Sequence, residues 1–550
     1  MKTPPTPRRA VAEWARPAVD GFLAGLDPEA RPAMTVQRPA RPEHGDLAIS
    51  LPLQLARPTG RKPMDIAADL AAALRPGGPV ASVEVAPPGF VNVRLDPAWM
   101  FDALEEVVAA GPDWGRLEFG AGRTAQVEFV STNPTGPLLF SHGRGAVVGD
   151  TVARLLAFTG HEVQREFYLN DAGRQVQLFG ESILASRLGQ PAPEEGYAGE
   201  YIADYAGELP AEVLAAAESG GEAASGVAEW AMARSVAEFR RDLDALGIGF
   251  DRWFSERSLY GDWEAETIAM LEATGAISRH DGATWLRLDE DTEDVLYKSS
   301  GEPTYFMADI LYHRDKLVRR GFDRAIDIWG ADHQNQVRRV KDVLALMGVD
   351  PDRFQVVLIQ LVRMKRGDEF VKISKRAGNL ILLRDLVEEV GADAVRYHYL
   401  LRSTDAPMDF DVELARRHSN ENPVFYAQMA HARLSSVRAV GAEAGLTASA
   451  AALGGLGAIG EVDLARELLE FPDVVEEAAR NLEPHHLPHY AQRLAERIHT
   501  FYHAGAKDPG LRVVGEDREL SEARLHLCEA ARLTMANALG LMGVAAPDRM

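Results

Sequence analysis

The sequence predicts an α/β protein built on an open parallel sheet, with an insertion in the sheet domain, a small α/β unit before it and a helical bundle after it. Three observations carry this. A strand–loop–helix–strand succession runs from AQVEFV (125–130) through HGRGAVVGDTVARLLAFTG to EVQREFYLN. Strand-like runs resume at RAIDIWG (324–330) and FQVVLIQ (354–360), separated by the amphipathic RRVKDVLALMG. From about residue 386 almost every segment has helical periodicity, which reads as a bundle.

Residues 1–97 form the first unit. AVAEWARPAVDGFLAGL and DIAADLAAAL have apolar residues at helical spacing, and SVEVA and FVNVRL alternate as strands on either side of a Pro-Gly turn at 87–89. The sheet domain, 98–385, opens with the AQVEFV strand. Its helix is predicted to stop at Gly160, a residue that accepts the left-handed cap conformation. The loop STNPTGPLLFS lies at the carboxyl end of that strand, where open Rossmann-like sheets bind ligands. Residues 172–300 read as a helical, acidic insertion, with AAAESGGEAASG (215–226) as a loop or weak helix. Residues 386–550 are the bundle, interrupted by an Ala/Gly-rich connection at 438–460.

Composition narrows the function. The 46% hydrophobic and 26% charged fractions are those of a soluble globular protein, and no apolar run reaches the length of about 18 residues that spans a bilayer. The N-terminal stretch has no secretory pattern, so the expected location is the cytoplasm. A single cysteine, Cys528, excludes an internal disulfide and cysteine-based zinc sites. The net charge of −23 argues against a polyanionic partner, yet Arg363, Lys365, Arg366, Lys372, Lys375 and Arg376 concentrate six positive charges in one short segment.

Two constellations suit phosphate chemistry. In Asn133-Pro-Thr-Gly-Pro-Leu-Leu-Phe-Ser-His142-Gly-Arg144 a Gly/Pro-shaped loop enters a helix, whose free N–H groups and positive dipole attract phosphate. His142 is placed to stabilise charge developing on an α-phosphate. In Lys372-Ile-Ser-Lys375-Arg-Ala-Gly-Asn379 two lysines three apart can compensate a leaving triphosphate portion. As isolated strings these also read as a capped helix with a surface histidine and as a solvated basic loop.

With both strings in this order, the chain resembles the class I aminoacyl-tRNA synthetases, and the arginyl members closely. LFSHGRGA stands at the family's HIGH signature and KISKR at its KMSKS signature. PEHGDLAISLPLQLAR and APPGFVNVRL resemble the N-terminal add-on domain; REFYLNDAGRQ, WGADHQNQVRR and VGADAVRYHYLLRSTDAPMDFDVELA resemble catalytic and linker segments. NENPVFYAQMAHAR and LGLMGVAAPDRM resemble the anticodon-binding domain.

The resemblance implies ATP-dependent activation of L-arginine, with Mg²⁺ on the phosphates, and transfer to arginine tRNA by a cytoplasmic monomer that activates arginine only with tRNA bound. It implies catalytic roles for His142, Lys372 and Lys375, and ATP contacts from Pro137, Leu139, Ser141, His142, Gly143, Lys372, Ser374 and Lys375. It assigns arginine contacts to Glu128, Asn133, Tyr305, Asp309 and Asp332. Carboxylates suit a guanidinium, which has five donors and no acceptor, and Tyr305 and Asp309, four apart, share a helix face. It assigns tRNA contacts to Phe90 and Asn92 at the D-loop and to Tyr426, Met429, Arg433 and Met550 at the anticodon. The sequence departs from the family at Leu139 and Ser141, where the signature has His and Gly, and at Met429, where Tyr is frequent. A synthetase-like RNA-binding protein without activation is the alternative that Leu139 and Ser141 motivate.

Overall fold

The computed structural model describes residues 6–27, 31–39, 41–218, 223–289, 292–371 and 380–550. Four short strands, β1 (Val36–Gln37), β2 (Leu47–Ile49), β3 (Val80–Ala86) and β4 (Phe90–Leu95), form an antiparallel sheet in the order β1-β2-β4-β3. Helix Pro63–Ala73 buries Ile66, Ala67 and Leu70, the residues its spacing predicts, and Pro7–Leu23 buries Val11, Ala15 and Val19.

The central sheet comprises β5 (Thr124–Glu128), β6 (Glu162–Leu169), β7 (Arg252–Ser255), β11 (Arg324–Gly330) and β12 (Phe354–Ile359), all parallel, in the order β12-β11-β5-β6-β7. The chain winds outward from β5 through β6 to β7, then returns to the other side of β5 for β11 and β12. The winding reverses at β5/β11, and a doubly wound sheet opens its ligand crevice at the carboxyl ends of the strands that flank such a reversal. Gly160, at φ +96°, follows the Phe140–Phe158 helix as predicted.

Residues 172–300 are not helical throughout. After helices Arg174–Arg187, Glu200–Glu208, Ala211–Glu218 and Ala223–Asp244, the chain contributes β7 to the central sheet. It then forms a separate antiparallel sheet of β8 (Ile277–His280), β9 (Ala283–Arg287) and β10 (Glu293–Tyr297). Strands of four or five residues are too short for their alternation to show, and β7 is specified by its neighbour β6, whose register partners (Glu166 for Arg252) lie 86 positions earlier, more than by its own pattern. A third small sheet pairs β13 (Val362–Arg366) antiparallel with β14 (Glu369–Phe370) and parallel with β15 (Met408–Asp411).

From Leu383 on the chain is helical apart from β15, with Pro423–Glu443, His486–Lys507 and Arg518–Leu541 as its long members. It meets the sheet domain through buried polar joints. Arg396 donates to Asp150 of the Phe140–Phe158 helix, to the carbonyl of Leu246 (2.9 Å) and to the carbonyl of Met542 (2.6 Å). A Cβ on Gly543 would lie 2.4 Å from that guanidinium, so only glycine closes the corner.

Candidate active site

The site begins where β5 leaves the sheet. Val130 and Ser131 adopt φ of +69° and +37°, a conformation that costs a β-branched residue on the order of 1–3 kcal/mol and is held only by its surroundings. Part of that hold is the Ser131 hydroxyl, which accepts from the Tyr168 N–H at 3.1 Å. The chain then turns through Asn133–Pro137 into the Phe140–Phe158 helix.

At the helix start the Leu139 N–H donates to His142 Nδ1 at 3.0 Å. With Nδ1 accepting, the neutral ring carries its proton on Nε2. Leu139, which has no polar side chain, thus orients the histidine through its backbone. The following residues lock the helix down: a Cβ on Gly143 would come within 2.8 Å of Leu383 Cδ1 and Tyr399 Cε2. Arg144 is fully buried and donates to the carbonyls of Gln360 (2.9 Å), Ala406 (3.0 Å) and Ser403 (2.8 Å). Burial holds its pKa down to about 10, with Tyr399 and Asp405 opposing the shift.

Two cavities meet at His142. One, about 610 Å³, lies at the winding reversal and is lined by Ser141, His142, Gly145, Gly330, Asp332 and Gln360 among others. The second, about 580 Å³, lies on the other side of the signature loop between Asn133, Gly136, Pro137, Leu139 and the insertion's Tyr197 and Tyr201. Tyr201 donates to the Thr135 carbonyl at 3.4 Å, and Asn133 donates to Gln175 at 2.7 Å.

Lys372, Ser374 and Lys375 lie outside the described residues. Their flanks are fixed. On one side the Val371 N–H donates to Met364 O; on the other Phe140 donates to Ile381 O at 3.0 Å and Leu383 to Leu138 O at 2.9 Å. The segment that follows the lysines is therefore zipped to the histidine signature.

The carboxylates form a buried chain. Glu128, at the end of β5, and Asp327 of β11 are direct register partners on adjacent strands. Lys316, with no exposed surface, bridges them, its Nζ 2.6 Å from Glu128 Oε2 and 2.7 Å from Asp327 Oδ1. The other Asp327 oxygen is 2.9 Å from His313 Nε2, and His313 Nδ1 is 2.7 Å from the Asp309 carbonyl. Burial raises Glu128, which Lys316 only partly offsets; burial likewise opposes ionisation of Asp327, but Lys316 and His313 outweigh it and hold this acid low. Asp309 accepts from Gln336 and is pushed up to about 7 by burial, with the charges of Asp327 and Glu256 adding to the effect.

The structure thus ties Glu128 to the backbone carbonyl of Asp309 through one network, while the Asp309 carboxylate accepts from Gln336. Tyr305 stands 63% exposed at the first turn of the Asp309 helix, Tyr305–Arg314, and Asn133 belongs to the second cavity. Asp332 lines the first cavity with its side chain 83% exposed. Sequence reasoning missed Lys316, His313, Asp327 and Gln336. A signal existed: Asp309, His313 and Lys316, at spacings of four and three, are a polar stripe through the otherwise apolar YFMADILYHRDKL.

For tRNA, Phe90 is half-buried at the start of β4 and Asn92 is buried, opposite Ala48 and Glu84 in the ladder. Tyr426, Met429 and Arg433 lie along one face of Pro423–Glu443 at spacings of three and four. Tyr426 packs on His499 with ring centroids 4.4 Å apart, and Arg433 Nη1 is 2.7 Å from His499 Nδ1. His499, Tyr502 and His503 of the His486–Lys507 helix complete this face and were not foreseen. Met550 is 51% exposed at the chain's last position.

Three family models match in order: the arginyl tRNA synthetase N terminal domain over 15–95, the catalytic domain of class I tRNA synthetases (R) over 114–205 and 213–434, and the DALR anticodon binding domain over 427–550. The chain belongs to the arginyl-tRNA synthetase family. It is an aminoacyl-tRNA ligase with a class I catalytic domain. The arginine–tRNA ligase of Dehalococcoides mccartyi strain CBDB1 is 42% identical over 94% of each chain, and that of Desulforudis audaxviator is 44% identical over 98% of this chain and 97% of its own. The solved Thermus thermophilus arginyl-tRNA synthetase superposes with a TM-score of 0.78 at 22% identity, covering 99% of this chain and 100% of its own, a likeness of fold.

Proposed function

We infer that this synthetase ligates L-arginine to arginine tRNA, consuming ATP, with both steps at the winding reversal of the central sheet. The observation that carries the amino-acid choice is the pair of carboxylates, Glu128 at the end of β5 and Asp309, whose backbone carbonyl is tied through His313, Asp327 and Lys316 to Glu128. A guanidinium supplies the donors and the charge that such a pair lacks. Glu128 and Asp309 hold the guanidinium, with Tyr305 closing over it; Asn133 and Asp332 bind the amino-acid end.

The cavity of about 610 Å³ takes the ATP against Ser141 and His142, whereas Pro137 and Leu139, expected at the nucleotide, line the second cavity and Gly143 packs against Leu383 and Tyr399. The arginine carboxylate attacks the α-phosphate, the bond to the β-phosphate breaks and pyrophosphate leaves, drawn by Lys372, Ser374 and Lys375. His142 Nε2–H donates to the α-phosphate as charge builds. The tRNA's terminal ribose hydroxyl then attacks the acyl carbon and releases AMP. The second cavity, across His142 and covered by Tyr197 and Tyr201, suits the tRNA's terminal adenosine, whose base can stack on an aromatic ring. Positioning and electrostatics suffice, so no protein nucleophile is invoked. Mg²⁺ would enter on the ATP phosphates as part of the substrate.

In this reading residues 1–97 touch the D-loop through Phe90 and Asn92, residues 98–385 are the catalytic unit with the 172–300 insertion, and 386–550 read the anticodon through Tyr426, Met429, Arg433 and Met550. The N-terminal sheet's closure at Leu95 and the run of helices from Leu383 support these limits. Among the described residues no helix is long and apolar enough to cross a membrane. We place the enzyme in the cytoplasm, as a monomer. The decisive test is charging of total tRNA by the purified protein with ATP and each labelled amino acid in turn. Arginine alone should become attached; tRNA binding without charging of any amino acid would refute the reading.

A further inference from the structure

A lysine with no exposed surface, set among carboxylates, calls for an explanation. Lys316 sits in a π-helical turn, Asp315–Arg319, that directly continues the Asp309-bearing helix. Such a turn widens the helix by one residue and is frequent where a side chain must be aimed. Here it sends the ammonium between Glu128 and Asp327 and over the Tyr312 ring, 4.0 Å from the centroid. Two carboxylates in register on adjacent buried strands repel, and one of them would ordinarily protonate. The lysine's charge cancels one of the two negative charges, so the pair retains one for a cationic ligand.

We propose that Lys316 is a positioning residue for substrate recognition: shared between Glu128 and Asp327, it keeps Glu128 ionised and aimed at the arginine guanidinium. The proposal rests on the reading of Glu128 as an arginine ligand. The groups facing Glu128 are few. From the π-helical turn comes Lys316; from β11, Asp327; from the Tyr305–Arg314 helix, Tyr312 and His313. From β6 comes its register partner Glu166, whose own charge is taken up by Arg320. Lys316 and Asp327 are in direct contact through the shared ammonium and act on Glu128 with opposite sign. Removing the lysine must make Glu128 harder to ionise, and removing Asp327 must make it easier.

The test is the KM for arginine in tRNA-dependent ATP–pyrophosphate exchange, measured from pH 6 to 9 with ATP and tRNA saturating. In Lys316→Met the acid limb, below which arginine binds poorly, should move up by about one to three pH units. At pH 7 the arginine KM should rise about tenfold or more and fall back at pH 9, with the KM for ATP unchanged. In Asp327→Asn, which nearly preserves shape, the limb should move the other way, to lower pH. A structural role alone would not give opposite displacements, and the Asp327→Asn arm stands even if Lys316→Met fails to fold. Glu128→Gln separates the two levels of inference. If it raises the arginine KM at least about tenfold while both limbs stay where the unaltered enzyme has them, the lysine proposal is overturned and the arginine-site reading survives. If Glu128→Gln leaves the arginine KM unchanged, both are overturned.

Discussion

Asp309→Asn is predicted to make the ligand-free synthetase more stable and nearly blind to arginine. The Asp309 carboxyl is held up to about 7 from an ordinary 3.8 by burial first, opposed by the Gln336 hydrogen bond and reinforced by Asp327 and Glu256. A carboxylic acid whose pKa is raised on folding binds more protons folded than unfolded, so its contribution to stability falls as pH rises from about 4 to 7 and stays low above. Three units correspond to about 4 kcal/mol, and because the residue keeps a solvent-facing side we expect about 1–2 kcal/mol. Asparagine retains an oxygen for Gln336 and carries no charge, so that cost disappears above pH 7. The same change removes a charge-assisted, partly desolvated contact with the guanidinium, worth about 2–4 kcal/mol, or roughly 30- to 1000-fold in the arginine KM. Thermal unfolding at pH 8 with and without arginine, together with tRNA-dependent exchange, reads both effects. A variant that melts lower than the unaltered enzyme and keeps an arginine KM within about threefold of it would refute the reasoning.

Other outcomes follow from the same structure. Arg396→Met should cost about 1–3 kcal/mol in urea unfolding, because it leaves the buried carbonyls of Leu246 and Met542 without that donor, while Arg154 still bonds Asp150. Burial raises the Asp150 pKa, but Arg396 and Arg154 outweigh it and hold the acid below its ordinary value. The Arg396→Met deficit should therefore shrink as pH falls through the folded-state pKa of Asp150. Ser141→Gly should lower the KM for ATP roughly three- to tenfold by letting the base approach the helix backbone; an unchanged value means that Ser141 does not face the nucleotide. Lys375→Ala should reduce exchange at least about tenfold, and an unchanged rate would sink its assignment to pyrophosphate departure.

How much of this was legible in the sequence differs by residue. The β5–helix–β6 unit, the Gly160 stop, β11, β12 and the bundle all follow from short-range periodicity and turn chemistry. Glu128 and Asp309 were found by a family resemblance that the family models bear out. β7 escaped because four residues cannot display a period and its partner β6 lies beyond a long helical excursion. Lys316 escaped for a related reason. Its partner Glu128 is 188 positions away, and a lysine in YHRDKLVRR reads as a solvated charge until the sheet closes over it. Leu139, standing where the signature has its first histidine, shows in the fold a contact that no side-chain reading could supply: its backbone N–H orients His142.

By itself the sequence determined the elements, their order and the kind of chemistry, because helices, strands, caps and phosphate-binding loops are specified by residues within a few positions of one another. Tertiary structure decided which charges face each other. Strand order 12-11-5-6-7 puts Glu128 beside Asp327, and the turn after the Asp309 helix drives Lys316 between them. Only burial makes that arrangement consequential: in water these three charges would be screened and nearly independent, whereas in the low-dielectric interior of the sheet domain each sets the ionisation of the others.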